Sequence, residues 1–204
     1  MTRLGMVLDL TRCIGCNACT VACKIENGTP DDQYWCRVYT EETGTFPDVK
    51  TTYVPALCNH CADAPCVTVC PTGASHQRDD GIVLVDPDKC IGCRACMTAC
   101  PYAARFYLRK GILDGGYHSE RTDFEERKWA AFQEGTVTKC TFCAHRVDQG
   151  LEPACVITCP TDARIFGDLD DPESKPSKLI RERNGHQPLA ELGTNPSVYY
   201  VEGR

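Results

Sequence analysis

Sixteen of the 17 cysteines in this 204-residue chain fall into four groups of four: Cys13, Cys16, Cys19, Cys23; Cys58, Cys61, Cys66, Cys70; Cys90, Cys93, Cys96, Cys100; and Cys140, Cys143, Cys155, Cys159. The first and third groups read C-x2-C-x2-C-x3-C. The second widens one gap to four residues and the fourth widens it to eleven, but all four close with C-x3-C. A 4Fe–4S cube needs four soft thiolates disposed roughly tetrahedrally, and a C-x2-C-x2-C loop can wrap three of its irons. The fourth cysteine comes about one helical turn later. Proline follows it at Pro71, Pro101 and Pro160 and ends that turn, because the residue before proline is disfavoured in the helical region. The first group has Lys24 instead, so its helix can run on through "KIEN" to a stop at Asn27-Gly28.

Zinc and disulfides are the competing uses of so many cysteines. Paired C-x2-C would serve zinc, but a three-cysteine loop with a C-x3-C-P close is not the usual zinc spacing. An odd cysteine count fits full pairing poorly. The 17th, Cys36 in "QYWCRVY", has no partner in sequence and reads as a buried structural thiol. The formal charge of −6 argues against a nucleic-acid partner. "GIVLV" (81–85) is far too short for a membrane span. The opening "MTRLGMVLDL" does not resemble a secretory signal, because Asp9 interrupts its apolar stretch.

The elements that must position these cysteines follow from the connections. Between groups two and three, "PTGASHQRDDGIVLVDPDK" offers a turn at Asp80-Gly81, a strand over 82–85 and a turn at Asp86-Pro87. That connection is similar to the one in two-cluster bacterial ferredoxins, where the closing cysteine of each group ligates the other cluster. The similarity implies an α+β fold of two pseudo-symmetric ferredoxin-like modules, one from groups two and three (52–108) and one from groups one and four (1–35 plus 136–166). The implied ligand sets are Cys13, Cys16, Cys19 with Cys159; Cys140, Cys143, Cys155 with Cys23; Cys58, Cys61, Cys66 with Cys100; and Cys90, Cys93, Cys96 with Cys70. Modules this small bury little core, so cluster binding is expected to supply much of the folding energy.

Residues 109–135 read as a helical insertion: "TDFEERKWAAFQEG" starts with a capping box, Thr122 and Glu125, and is expected to end at Gly135. Its Phe124, Trp129 and Phe132 fit packing on the chain's own body or docking on a partner. The tail, 167–204, reads as a loop "GDLDDPESKPS", a short helix near 178–183 and a strand "SVYYV". His60, His145 and Lys24 neighbour cluster cysteines and could tune them, although packing or surface roles suit the histidines equally. An ammonium beside Cys23 would favour the reduced state of the cluster it ligates. No nucleophile–base constellation and no phosphate-cradling glycine loop is present, so the chain is expected to carry electrons rather than to catalyse a reaction.

With all four groups in view, the sequence resembles the four-cluster iron–sulfur subunit of molybdopterin oxidoreductases. "GMVLDLTRCIGC", "LCNHCADAPCVTVCPTGA", "KCTFCAHRVDQGLEPACVITCP" and "GDLDDPES" carry the resemblance over nearly the whole chain. "GTFPDVK" (44–50) points towards the arsenate and polysulfide reductase branches. The resemblance implies four 4Fe–4S clusters and a large catalytic partner with a molybdenum or tungsten bis-pyranopterin. It also implies, in many complexes, a membrane quinone-binding or cytochrome subunit. A location on the extracytoplasmic face of the cytoplasmic membrane, reached by export with the catalytic subunit, is the expectation; a cytoplasmic location is the alternative. A free-standing polyferredoxin and a hydrogenase iron–sulfur subunit are the competing functional classes.

Overall fold

The computed structural model describes residues 2–117 and 119–202. Its strands are β1 (Leu4–Asp9), β2 (Arg37–Thr45), β3 (Asp48–Ala56), β4 (Ser75–Gln77), β5 (Val83–Val85), β6 (Phe106–Tyr107), β7 (Val137–Thr138), β8 (Arg164–Asp168) and β9 (Val198–Val201). The helices are α1 (Ala18–Asn27), α2 (Pro65–Thr68), α3 (Ala95–Thr98), α4 (Asp123–Trp129), α5 (Ala144–Val147), α6 (Ala154–Ile157) and α7 (Lys175–Arg183).

Both ends of the chain meet in one sheet. β1 lies between β8, antiparallel to it, and β9, parallel to it. Met6, Val7 and Leu8 are fully buried, which suits a central strand covered on both faces. The register runs from Leu4 opposite Asp168 to Leu8 opposite Arg164. The end of β1 that leads into Cys13 therefore lies beside the start of β8, just after Cys159. The tail is part of this sheet through β9.

β4 and β5 form the hairpin between the second and third cysteine groups, with Gly81 at φ 85° in its turn. A left-handed φ there favours glycine, in keeping with the turn expected at Asp80-Gly81. The longest hairpin, β2–β3, lies in a stretch where the sequence pattern marks no strands. Thr45 pairs with Asp48 around Phe46-Pro47, and the Phe46 ring at the tip is 93% exposed. β6 and β7 pair Phe106 with Thr138 and Tyr107 with Val137, clamping the base of the segment between them.

Helix α1 ends at Asn27 with Gly28 at φ 60°, so the lysine in place of proline does let the helix continue past Cys23. Helix α4 begins with the expected reciprocal capping box, Thr122 with Glu125, but it stops at Trp129 rather than at Gly135. Trp129 is anchored among Leu108, Ile112 and Leu113, and the chain must then turn to bring Phe132 to 6.0 Å from Trp35. Gly135 instead donates its N–H to Leu108 O and leads into β7. Trp129 and Phe132 thus pack inward, while Phe124 is surface-exposed. Helix α7 starts at Lys175, before the expected 178. Pro176 sits in its first turn, where proline is tolerated, and the Ser174 side chain caps it.

The main core joins Met6, Leu8, Trp35, Leu57, Ile82, Phe142, Val198 and Tyr200 to Cys19, Cys23, Cys58, Cys140 and Cys155. A second cluster is built largely on Cys61, Cys66 and Cys96. Thiols are a main component of the interior.

Candidate metal centres

The cysteine loops owe their shape to repeated left-handed turns. Gly15 and Gly92 hold the same place in the two "CIGC" stretches, at φ 69° and 66°, and Asn17 and Arg94 follow at 58° and 61°. Such turns fold the backbone back and gather its N–H groups towards an anion. A Cβ at Gly92 would lie 1.9 Å from the Gly135 carbonyl oxygen, so this loop is pressed against backbone that cannot give way. The closing cysteines accept backbone N–H groups in the same way: Ser75 N–H donates to Cys70 Sγ at 3.3 Å and Ala163 N–H to Cys159 Sγ at 3.3 Å.

The cysteines gather across groups. Cys13, Cys16, Cys19 and Cys159 line one cavity. Cys70, Cys90, Cys93 and Cys96 line another. Cys23 has Cys155, Cys143 and Cys140 as electrostatic neighbours. Cys61 has Cys58, Cys66 and Cys100. In each case the closing cysteine of one group lies with the first three of another. All seventeen cysteines are free thiols.

These thiols are held where charge is costly. Burial pushes the Cys155 thiol up to about 11 and the Cys61 thiol up to about 12. Burial also drives Cys140 well above its usual range, with thiolates at Cys23, Cys58 and Cys155 pushing it further. As thiolates, this many sulfurs can share the interior only around cations. Among the described residues no three His, Cys, Asp or Glu side chains converge as a single bound ion would require. The cysteines are spread around shared cavities instead, which suits a cube with one thiolate at each of its irons better than a lone zinc. A second sign of fit is a set of orphaned donors: Arg105 Nε and Nη1 are buried beside Cys66 without a hydrogen-bond partner among the described residues. Cluster sulfides are acceptors of the kind they lack.

The neighbours singled out in the sequence have distinct fates. His60 is fully buried, accepts the Val83 N–H on Nδ1 at 3.0 Å and stacks on Phe142 with ring centroids 3.8 Å apart. Burial, then the Lys139 and Arg105 cations, hold it well below its usual range and therefore neutral. His145 is on the surface, 2.8 Å from Glu26. The Lys24 ammonium turns from Cys23 to the loop beyond α1, donating to Thr29 O, Pro30 O and Gln33 O at 3.0–3.3 Å and lying over the Tyr34 ring. That geometry gives it a loop-holding role. Cys36 is buried and is no bystander. Its Sγ accepts from Arg164 Nη2 at 3.1 Å, and its closeness to Cys19 pulls the Cys19 thiol down while raising its own.

Sequence reading missed three buried cations: Arg105, Arg164 and Lys139, which are 4%, 3% and 2% exposed. Arg105 and Arg164 stand at the same place in "CPYAAR" and "CPTDAR", and that repeat was the available signal. Arg105 Nη2 donates to Cys66 Sγ at 2.8 Å and Ser75 Oγ at 2.7 Å. Arg164 Nη2 donates to Cys36 Sγ at 3.1 Å, and its Nη1 to Cys155 Sγ at 3.8 Å. Lys139 Nζ donates to Cys140 O at 2.6 Å and to Val83 O.

Cavities lined by four cysteines on ferredoxin-like loops define an iron–sulfur electron carrier. Two comparisons agree. A 4Fe–4S dicluster domain matches residues 49–112 and 126–169, and a second 4Fe–4S dicluster domain model matches residues 12–74. The sequence is 48% identical to a Halobacterium salinarum protein assigned to a dimethyl sulfoxide reductase as an iron–sulfur subunit, over 100% of this chain and 80% of the relative. It is 46% identical to the arsenate respiratory reductase iron–sulfur subunit ArrB of a Shewanella species, over 98% of this chain and 96% of the relative. With a polysulfide reductase component of Wolinella succinogenes the identity is 38%, over 99% and 95%. The chain therefore belongs to the 4Fe–4S dicluster family of iron–sulfur subunits. It is an electron-transfer component with four 4Fe–4S clusters, two for each dicluster domain.

Proposed function

We propose that the sixteen grouped cysteines form two ferredoxin-like modules whose four clusters make one linear relay. The ligand sets are those implied by the sequence: Cys13, Cys16, Cys19, Cys159 (first site); Cys23, Cys140, Cys143, Cys155 (second); Cys58, Cys61, Cys66, Cys100 (third); and Cys70, Cys90, Cys93, Cys96 (fourth). The observation that carries this reading is that closing cysteines line cavities with another group's loop, Cys159 with the first and Cys70 with the third. The matched dicluster spans run in chain order, 12–74 and 49–169, and so cut across these modules. Sequence models are linear, whereas β1–β8 pairing supports joining the first group to the fourth.

When bound, each cluster supplies a one-electron redox centre. The residues arrange these centres in order. Arg164 donates to Cys155 Sγ and lines the cavity beside Cys19, linking the first and second sites. Cys58 lies close enough to Cys140 to raise the cost of charging it, linking the second and third. Arg105 donates to Cys66 Sγ and lines the cavity beside Cys96, linking the third and fourth. Cys16 and Cys93, at opposite ends of this order, are the two exposed cysteines, next to Ile14 and Ile91 at 57% and 67% exposure. Both ends of the relay thus have access to partners.

The relatives are named as components of reductases of dimethyl sulfoxide, arsenate and polysulfide. By extension, the partner at one end is a catalytic subunit with a molybdenum or tungsten bis-pyranopterin. At the other is a membrane quinone-linked subunit or another redox partner. The complex works on the extracytoplasmic face of the cytoplasmic membrane, and this component is exported with its catalytic partner. No helix among the described residues is long and apolar enough to cross a membrane, so the membrane contact in this reading is made through a partner. Anaerobic purification from the native source tests the proposal. About 16 irons per chain and co-elution with a pterin-containing large subunit are expected. A lone chain, or one co-eluting with nickel–iron subunits, overturns the partner assignment.

A further inference from the structure

The three buried cations have a common position with respect to the ligand sets, and this inference rests on those sets. Arg164 donates to Cys155 Sγ of the second site and lines the cavity of the first beside Cys19. Arg105 donates to Cys66 Sγ of the third and lines the cavity of the fourth beside Cys96. Lys139 donates to the backbone carbonyl of Cys140, a second-site ligand, and to Val83 O on the strand joining the third and fourth sites. Val83 N–H in turn donates to His60 Nδ1, and His60 stands between the third-site ligands Cys58 and Cys61. We propose that the protein places one buried cation in each gap between successive clusters, and that each cation sets the potentials of the two clusters it separates together.

The physical argument is one of sign and symmetry. Each oxidised cube with its thiolates is an anion, and adding an electron makes it more so. Four such centres in a chain of net charge −6 repel one another and oppose reduction. A cation at one end of the row would favour its nearest cluster and tilt the relay. A cation midway between two clusters stabilises an added electron on either, so it raises both potentials without creating a step between them. All three are nearly inaccessible to water, so salt screens them little. The two arginines occupy equivalent places after their "CP" closures, and each donates to the third cysteine of one loop and lines a cavity with the third cysteine of the other. Lys139 has no such counterpart. It fills the gap between modules, immediately before Cys140.

The test is a set of neutral replacements in the full chain, purified with its partners: Arg164→Met, Lys139→Met and Arg105→Met. The readout is redox titration followed by EPR, with signals assigned through serine variants of individual ligands. Arg164→Met is expected to lower the first and second sites, Lys139→Met the second and third, and Arg105→Met the third and fourth. Each flanking cluster should lose at least tenfold in its reduction equilibrium, about 59 mV for one electron. Arg164→Lys and Arg105→Lys keep the charge and should return both flanking potentials to near wild type. Should a neutral variant lose iron, the charge-keeping variant still decides, because a fall in either flanking potential there overturns the proposal. So does a shift confined to one cluster, an equal shift in all four, or no shift with iron content intact. Wild-type iron content and ligand assignments are measured in the same preparations, so failure of the ligand sets is distinguishable from failure of the cations.

Discussion

Replacing Cys159 with serine should damage a cluster whose other ligands lie some 140 residues away in sequence. Cys159 Sγ faces the cavity shared with Cys13, Cys16 and Cys19, and its local contacts are the Ala163 N–H at 3.3 Å and Thr161 Oγ1 at 3.7 Å. Serine keeps partners for those contacts but offers a harder, shorter ligand to iron. Loss of the single iron at that corner would leave about 15 of about 16 irons per chain, and loss of the whole cube about 12. Cys23, Cys140, Cys143 and Cys155 are untouched, so their cluster should keep its full iron and its spectrum. Iron and acid-labile sulfide analysis gives the count, and EPR assigned cluster by cluster gives the location. A defect confined to the cluster held by Cys140, Cys143 and Cys155, with the first site intact, would refute the exchange of closing cysteines between groups.

Two further substitutions probe neighbouring residues. Lys24→Ala should speed amide exchange over residues 28–34, because the ammonium bonds three carbonyls of that loop; an unchanged loop with a lowered potential at the second site would restore the tuning role. Glu26→Gln should cost less than about 1 kcal/mol at neutral pH, since the carboxylate is partly solvated. The hydrogen bond from His145, then Arg146, holds the Glu26 carboxyl below its ordinary value. A depressed folded-state pKa contributes stability above the unfolded value of about 4.3 and loses it as pH falls through the folded one. The difference between wild type and Glu26→Gln in urea unfolding should therefore shrink as pH falls from about 5 to about 3, and a difference that does not change across that window would refute the shift.

The cysteines were legible in sequence because ligand spacing is local, and so were caps such as Thr122–Glu125 and stops such as Gly28. The end of α4 and the start of α7 were not. Trp129 and Phe132 each have a fixed destination in the core, and that tertiary demand overrides the helical pattern through "AAFQ". Pro176 read as a loop marker because proline in a first turn and proline in a loop look alike in sequence. The β2–β3 hairpin escaped because most of its residues are exposed on both faces and show no alternation of apolar and polar residues. The buried cations escaped for another reason. A lone arginine or lysine is expected on the surface, and only the anionic surroundings of Arg105 and Arg164 make their burial favourable.

The sheet that joins β1 to β8 and β9 also imposes an order on how the molecule is made. With the proposed ligand sets, the fourth site has all its cysteines once Cys96 has left the ribosome, and the third once Cys100 has. The first site cannot close until Cys159 has emerged, and β1 gains its parallel neighbour only with Val198–Val201. During synthesis the N-terminal thiols must therefore wait, unligated, for nearly the whole chain. The centre module can be loaded early, whereas the outer one assembles last and is the more vulnerable to oxygen and to premature release.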